Sequence, residues 1–308
     1  VSRFITPPQP GEGTATVSST LNGVAKGGEL LWLDAASLSV QRTIVLEHST
    51  KSDTTAQGRG VPNYLGAPVI APDGVSAWVP SKQDNVKRGT LRDGQHLDFQ
   101  NTVRAISSRV NLATLTEDVA ARVDHDNSGV ASAAVFHPGG NYLFVALEAS
   151  RHVAVIDAIG KRELFRVDAG RAPQGLAVSP DGSTLYVQNF MDRTVGVYDL
   201  SRLTQFGESV LTPITSVGSV ASERLSATVL KGKQFFYDAR DPRLSRDAYL
   251  SCASCHQDGG HDGRTWDFTG FGEGLRNTVS LRGRAGAQGR LHWSANFDEV
   301  QDFEGQIR

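Results

Sequence analysis

The chain has 308 residues, with 31 Lys+Arg against 33 Asp+Glu, a formal charge of -2 and 7% aromatics, the composition of a folded, water-soluble protein whose length suggests two unequal parts. Near-neutral charge without a Lys/Arg block removes the electrostatic footprint of a nucleic-acid binder, and no stretch approaches the roughly 18 uninterrupted apolar residues of a membrane span. The only two cysteines lie three positions apart, so disulfides cannot hold the chain together and the core must be apolar packing.

The N-terminus, Val1-Ser2-Arg3-Phe4, lacks the charged-then-apolar pattern of a signal peptide, and the chain stops abruptly at Gln306-Ile307-Arg308. The expectation is a piece of a longer protein whose signal has been removed. In chain order, the first recognisable element is Glu29-Leu-Leu-Trp-Leu-Asp34. A turn at Pro68-Val-Ile-Ala-Pro-Asp-Gly74 then leads into Ala77-Trp78-Val79. From Ser81 to Asp126 runs a polar insertion carrying Lys82, Lys87, Arg88, Arg92, Asp93, Asp118 and Asp124, read here as a solvated blade-edge loop.

The clearest pattern follows. Ala133 to Asp157 matches Gly175 to Asp199 without a gap at an offset of 42, with Pro138/Pro180, Gly140/Gly182, Val145/Val187, Arg151/Arg193 and Asp157/Asp199 among the identical pairs. Runs such as Tyr142-Leu-Phe-Val-Ala146 and His152-Val-Ala-Val-Ile156, bounded by Pro-Gly-Gly or Pro-Asp-Gly, read as antiparallel strands. Three or four strands every 40 or so residues is the period of a β-propeller blade, with a β-sandwich as the alternative. Ala172 to Gln188 followed by Thr194-Val-Gly-Val-Tyr-Asp199 resembles the YVTN-type propeller repeat, which implies a seven-bladed architecture; about four blades are recognisable here. His48, His96, His125, His137 and His152 are scattered over this region as surface or strand residues, and no Ser/His/Asp arrangement or paired carboxylates are visible in it.

Beyond the repeats, Lys231 to Arg240 has helical spacing at Phe235, Phe236 and Ala239, ending before Asp241-Pro242. The chemical signal comes next, in Cys252-Ala253-Ser254-Cys255-His256. This spacing reads as a c-type haem attachment site, with both thiols available for thioethers and His256 for the iron. It takes up every cysteine in the chain. Two other readings of the same residues stand beside it: a zinc site using Cys252, Cys255 and two of His256, His261 and His292, and a redox-active disulfide, whose βαβ context these flanks lack.

Gly232 to Tyr237, Asp241 to Arg246, Leu250 to His256, Gly274-Leu-Arg-Asn-Thr278 and Leu291-His-Trp293 resemble, in order and spacing, the N-terminal haem region of the di-haem cytochrome c peroxidase superfamily, which includes the methylamine-utilisation oxidases. With the repeats upstream, the chain is similar to the propeller-fused branch. The resemblance implies that Arg276 packs near the first haem and that Trp293 lies between two haems as an electron conduit, although Trp293 reads equally as a core aromatic. Two departures stand out. No second Cys-x-x-Cys-His follows, so this chain holds one haem c, and the usual distal histidine position falls near Gly272. His261, His292, Met191 and an open or water-bound site are the candidates for the sixth coordination position. Arg264, Arg276, Arg282 and Arg284 are candidate propionate partners. Asp298, Glu299, Asp302 and Glu304 form an acidic cluster that reads as a solvated helix face or a Ca2+ site.

The expected architecture is therefore mainly β: propeller repeats over 1-225, then a small, mainly α cytochrome c-type domain over 226-308. The expected function is electron transfer as the first-haem part of a di-haem peroxidase-like protein, with peroxidase or oxidase chemistry where a second haem domain or a redox partner protein completes it. The alternative is a propeller binding or scaffold protein with haem as a sensor or a structural zinc. Haem attachment chemistry places the protein in the periplasm or outside the cell.

Overall fold

The computed structural model describes residues 1–283 and Trp293. Sheets follow one another along the chain as the blades of a β-propeller, and the fold is mainly β. The third and fourth blades are four-stranded meanders: Ala131–Phe136, Tyr142–Leu147, His152–Asp157 and Arg162–Asp168, then Pro173–Val178, Thr184–Asn189, Thr194–Asp199 and Thr212–Gly218. These are the two copies found at an offset of 42. The first blade contributes a pair, Gly27–Leu33 with Val40–Glu47, and the second is a six-stranded sheet.

A local device recurs at the end of each third strand. Asp157 accepts from the backbone N–H groups of Ile159 and Gly160, Asp199 from Ser201, and Asp34 from Ala36 and Ser37. Such side-chain turns start the connection to the fourth strand at no cost in unsatisfied backbone. Asn111 does the same for the second blade, accepting from Ala113 and Thr114.

Packing between blades is apolar. Tyr142–Leu147 is buried on both faces because it is central in its sheet and its sheet lies between two others. Leu143, Val145 and Leu147 join Trp78, Ala105 and Val123 of the second blade, while Phe144 joins Leu185, Val187 and Tyr198 of the fourth. Leu30, Ile44 and Leu46 pack against Val79 and Val110 to attach the first blade to the second.

The polar segment 81–126 departs from the solvated loop expected of it. Ser76–Asp84 and Val103–Asn111 pair along their full length, and both are buried almost throughout. Lys82 is 0% exposed. The charges mislead because they meet opposite charges inside: Arg104 pairs with Asp124 at 2.6 Å. What is inserted is 85–102, between the second and third strands, closing with a short helix Phe99–Thr102 capped by Asp98.

The C-terminal segment lies on the propeller face that carries the turns between second and third strands. Helix Ala227–Phe236 starts at Ser226, whose hydroxyl accepts from the Val229 N–H, and ends ahead of Asp241-Pro242. Gln234 Nε2 donates to the Met191 carbonyl and the Ala239 N–H to the Ala149 carbonyl, both at 3.0 Å. The repeated arginines serve alike here: Arg151 pairs with Asp238, and Arg193 with Glu223 at 2.8 Å. A short helix, Ala253–His256, and a hairpin, Thr265–Phe268 with Gly274–Asn277, complete the described part.

Candidate functional site

Cys252 to His256 form one helical turn, closed by the Cys255 and His256 N–H groups donating to the Cys252 carbonyl at 3.3 and 3.0 Å. Positions 252, 255 and 256 therefore share one side of the turn. Ala253 is buried against Met191 and Tyr237, and the buried Ser254 hydroxyl accepts from the Ser251 N–H at 3.1 Å. Cys252 is exposed, Cys255 half-buried, and both are free thiols. Met191 is thus a core residue beneath the pentapeptide.

His256 turns Nδ1 toward the Gly260 carbonyl at 3.2 Å, and Nε2 has no hydrogen-bond partner among the described residues. An axial imidazole needs this arrangement, with one nitrogen fixed by an oxygen acceptor and the other facing out toward a metal. The donor set thus fits a haem: two thiols for covalent attachment and one nitrogen for iron. Burial pushes the Cys255 thiol up to about 12, with Lys82 opposing and Asp262 and Asp84 adding. A neutral thiol is a poor participant in disulfide exchange, which proceeds through the thiolate. Among the described residues no three His, Cys, Asp or Glu side chains converge as a metal-binding group.

The remaining site residues fall as follows. His261 is exposed and its Nδ1 accepts from the Gly263 N–H at 3.1 Å. Arg276 sits on the hairpin opposite Trp266, with Nη2 3.2 Å from Glu273 and a buried Nε that lacks an acceptor, a donor open to a carboxylate such as a haem propionate. Trp293 lies on the same hairpin, its Nε1–H donating to the Asn277 carbonyl at 2.9 Å and its ring 5.4 Å from that of Phe268. Arg282 donates to the Asp258 carbonyl beside the pentapeptide, at 3.0 Å. Arg264 is committed elsewhere, to Glu12 at 2.6 Å and the Thr6 carbonyl. His292, Arg284 and the acidic cluster Asp298, Glu299, Asp302 and Glu304 lie outside the described residues.

Reading the sequence missed the network that seats this loop. Lys82 Nζ lies 3.0 Å from Asp84 and 3.1 Å from Asp262, all three without solvent contact, and 4.5 Å from the centre of the Tyr64 ring. Burial works against the Lys82 charge, but Asp262 and Asp84 outweigh it and hold the ammonium above its ordinary value. Asp262 also accepts from the Arg264 N–H at 3.0 Å and from Trp266 Nε1 at 3.3 Å. Tyr64 adopts a left-handed backbone, φ 50°, with Asn63 Oδ1 accepting its N–H, and donates its hydroxyl to the Cys255 carbonyl at 2.7 Å. The insertion contributes as well: Arg92 donates to the Thr265 carbonyl and the Leu91 N–H to Asp267. At Gly89, φ +145°, any side chain would collide with Asp267.

His125 is buried, with Nε2 2.9 Å from Ser107 Oγ and Nδ1 2.6 Å from Glu163 Oε2, an arrangement the sequence reading did not contain. Ser107 is wholly buried, so this chain ties the second blade to the third and offers no nucleophile to a substrate. His48 is also buried, and burial followed by Lys87 and Arg122 pushes it down to about 3, leaving it neutral.

Residues 226–306 match the family model of di-haem cytochrome c peroxidase. The chain thus joins propeller blades to a C-terminal segment that is similar to the di-haem cytochrome c peroxidase family. No curated protein matches the chain by sequence. Solved structures similar to it include the hydrazine synthase of Kuenenia stuttgartiensis, 12% identical over 56% of this chain and 64% of that one with a TM-score of 0.38. Others are a periplasmic gluconolactonase of Pseudomonas aeruginosa, 15% identical over 67% of this chain and 53% of that one (TM-score 0.44), and a protein from Lactobacillus plantarum, 15% identical over 63% and 49% (TM-score 0.42). The chain spans less than two thirds of the hydrazine synthase chain it resembles. Among the described residues no helix is long and apolar enough to cross a membrane.

Proposed function

We propose that the chain is a periplasmic or extracellular c-type cytochrome in which Cys252 and Cys255 carry one haem c and His256 is its proximal ligand. Residues 1-225 form the propeller platform and 226-308 the haem module, a division supported by the family match beginning at 226. The haem supplies one-electron chemistry; the chain sets its orientation, potential and access. His256 is the observation that carries this reading: its Nδ1 is anchored on the Gly260 carbonyl, its Nε2 is unpartnered among the described residues, and both thiols lie on the same side of the turn.

The chain's own residues then have definite tasks. Gly260 fixes the imidazole orientation, Tyr64 holds the carbonyl of Cys255, and Arg276 offers its buried Nε to a propionate. Trp293, on the Arg276 hairpin, is the conduit toward a second haem domain or a redox partner protein, and electron transfer to that partner is the function. Peroxidase or oxidase turnover belongs to the assembly with a second haem. His261, exposed and with no partner on Nε2 among the described residues, is one candidate for the sixth ligand, and His292 is the other.

Replacing Cys252 and Cys255 together by Ala tests the reading. Haem staining on a denaturing gel should vanish while the β-rich circular dichroism of the blades persists. Staining that survives would overturn the attachment assignment.

A further inference from the structure

A cavity of about 240 Å³ lies on the propeller between the first strands of the blades and the chain that follows His256. Its walls include Phe4, Tyr64, Glu148, Gln174, Gln257 and Asp258. None of Cys252, Cys255 and His256 lines it, so what it binds is a separate question from what the pentapeptide carries.

Glu148 is the unusual group. It is 1% exposed, and its Oε2 accepts from Gln174 Nε2 at 3.1 Å and Gln257 Nε2 at 3.5 Å, while Oε1 has no partner among the described residues. The other deeply buried carboxylates are answered by cations or by backbone N–H groups: Asp84 and Asp262 by Lys82, Glu12 by Arg264, Asp238 by Arg151, and Asp267 by the N–H groups of Leu91 and Thr269. Among the described residues Glu148 has no such ion pair, and the only charged group acting on it is another carboxylate, Asp258. Burial accordingly pushes it up to about 7, with Gln174 and Gln257 opposing and Asp258 adding. An uncompensated buried carboxylate is costly.

The rest of the lining asks for the same complement. Gln257 Oε1 is a buried acceptor without a donor. Phe4, 46% exposed and lining the cavity, stacks on Tyr64 at 4.7 Å and 6°, and Lys82 lies over the Tyr64 ring. Among the described residues no basic side chain lines the walls. We propose that this cavity binds a small organic cation, an ammonium or amidinium group that pairs with Glu148 Oε1, donates to Gln257 Oε1 and packs its carbon body against Phe4. The ligand supplies the N–H donors and positive charge that the protein withholds at this one buried carboxylate.

Isothermal titration of the haem-loaded protein at pH 8 with n-butylammonium, butan-1-ol and butyrate tests this. Butylammonium should bind saturably at one site per chain, and the alcohol and the acid should not. Glu148→Gln should weaken butylammonium by about tenfold or more, the scale of a hydrogen bond to a charged partner. Phe4→Ala, at a partly exposed position, should weaken it about two- to fivefold, as expected for loss of apolar packing against the ligand's carbon body. Butan-1-ol binding as tightly as butylammonium, no saturable binding by butylammonium, or unchanged affinity in Glu148→Gln would overturn the proposal. Should Glu148→Gln fail to fold, Phe4→Ala decides: unchanged affinity there overturns it.

Discussion

The two kinds of interface in this molecule differ in how much charge they bury. Blade meets blade chiefly through apolar side chains such as Phe144, Leu185, Val187 and Trp78, whereas the C-terminal segment adds to its apolar contacts, Ala253 with Met191 and Trp266 with Val61 and Val103, the buried charges of Lys82, Asp84, Asp262, Arg264, Glu12 and Arg151. Apolar burial is non-directional, so blade stacking rests mainly on buried area. A buried charge cluster is satisfied in one geometry only. The haem-bearing loop is thereby seated at a fixed place, and its seating depends on charge in a way that blade stacking does not.

The largest expected effect breaks the charged interface. Lys82→Met leaves Asp84 and Asp262 buried without their cation and should cost about 3–5 kcal/mol, the scale for removing one partner of a buried pair. Chemical denaturation measures the loss, and hydrogen exchange should show it centred on 249–283 rather than on the blades. Adding Asp84→Asn and Asp262→Asn to that variant should recover part of the loss. Phe144→Ala is the apolar counterpart, with a similar cost of about 3–5 kcal/mol, but its exchange should rise across the third and fourth blades together.

Smaller effects sharpen the contrast. Glu148 keeps its proton in the fold up to about pH 7, whereas the unfolded chain releases it near the ordinary glutamate value of 4.5. The fold binds the extra proton between these values, so stability from this group is full at low pH and falls as pH rises through that window, by on the order of 3 kcal/mol. Glu148→Gln should flatten that slope in urea titrations from pH 4.5 to pH 8; an unaltered slope would remove Glu148 from the account. Arg193→Ala, at the partly exposed pair with Glu223, should cost less than about 1 kcal/mol in the same assay.

The blades were legible because their signals are local. Pro180-Asp181-Gly182 makes a turn and Asp157 starts one wherever it occurs. The second blade was harder, since Asn111 stands where the others have Asp and 85–102 separates its strands. The pentapeptide was legible for the same local reason. Its seat was not: Lys82 and Asp262 are 180 positions apart, and a lysine among aspartates and arginines reads as solvated unless the partner is known to fold onto it. The strand pattern that begins at Ala77-Trp78-Val79 gave a broken signal, since Pro80-Ser81 reads as a turn, yet the strand runs on to Asp84 and carries Lys82 inward. Glu148 gave none, because its significance is the absence of a cation, which only the packed structure reveals.

Intact mass under denaturing conditions tests the central claim most directly. The purified protein should carry the mass of its chain plus one haem, retained after unfolding, and Cys252→Ala with Cys255→Ala should return the bare chain mass. A bare chain mass for the unaltered protein, with zinc recovered at one per chain, would contradict it.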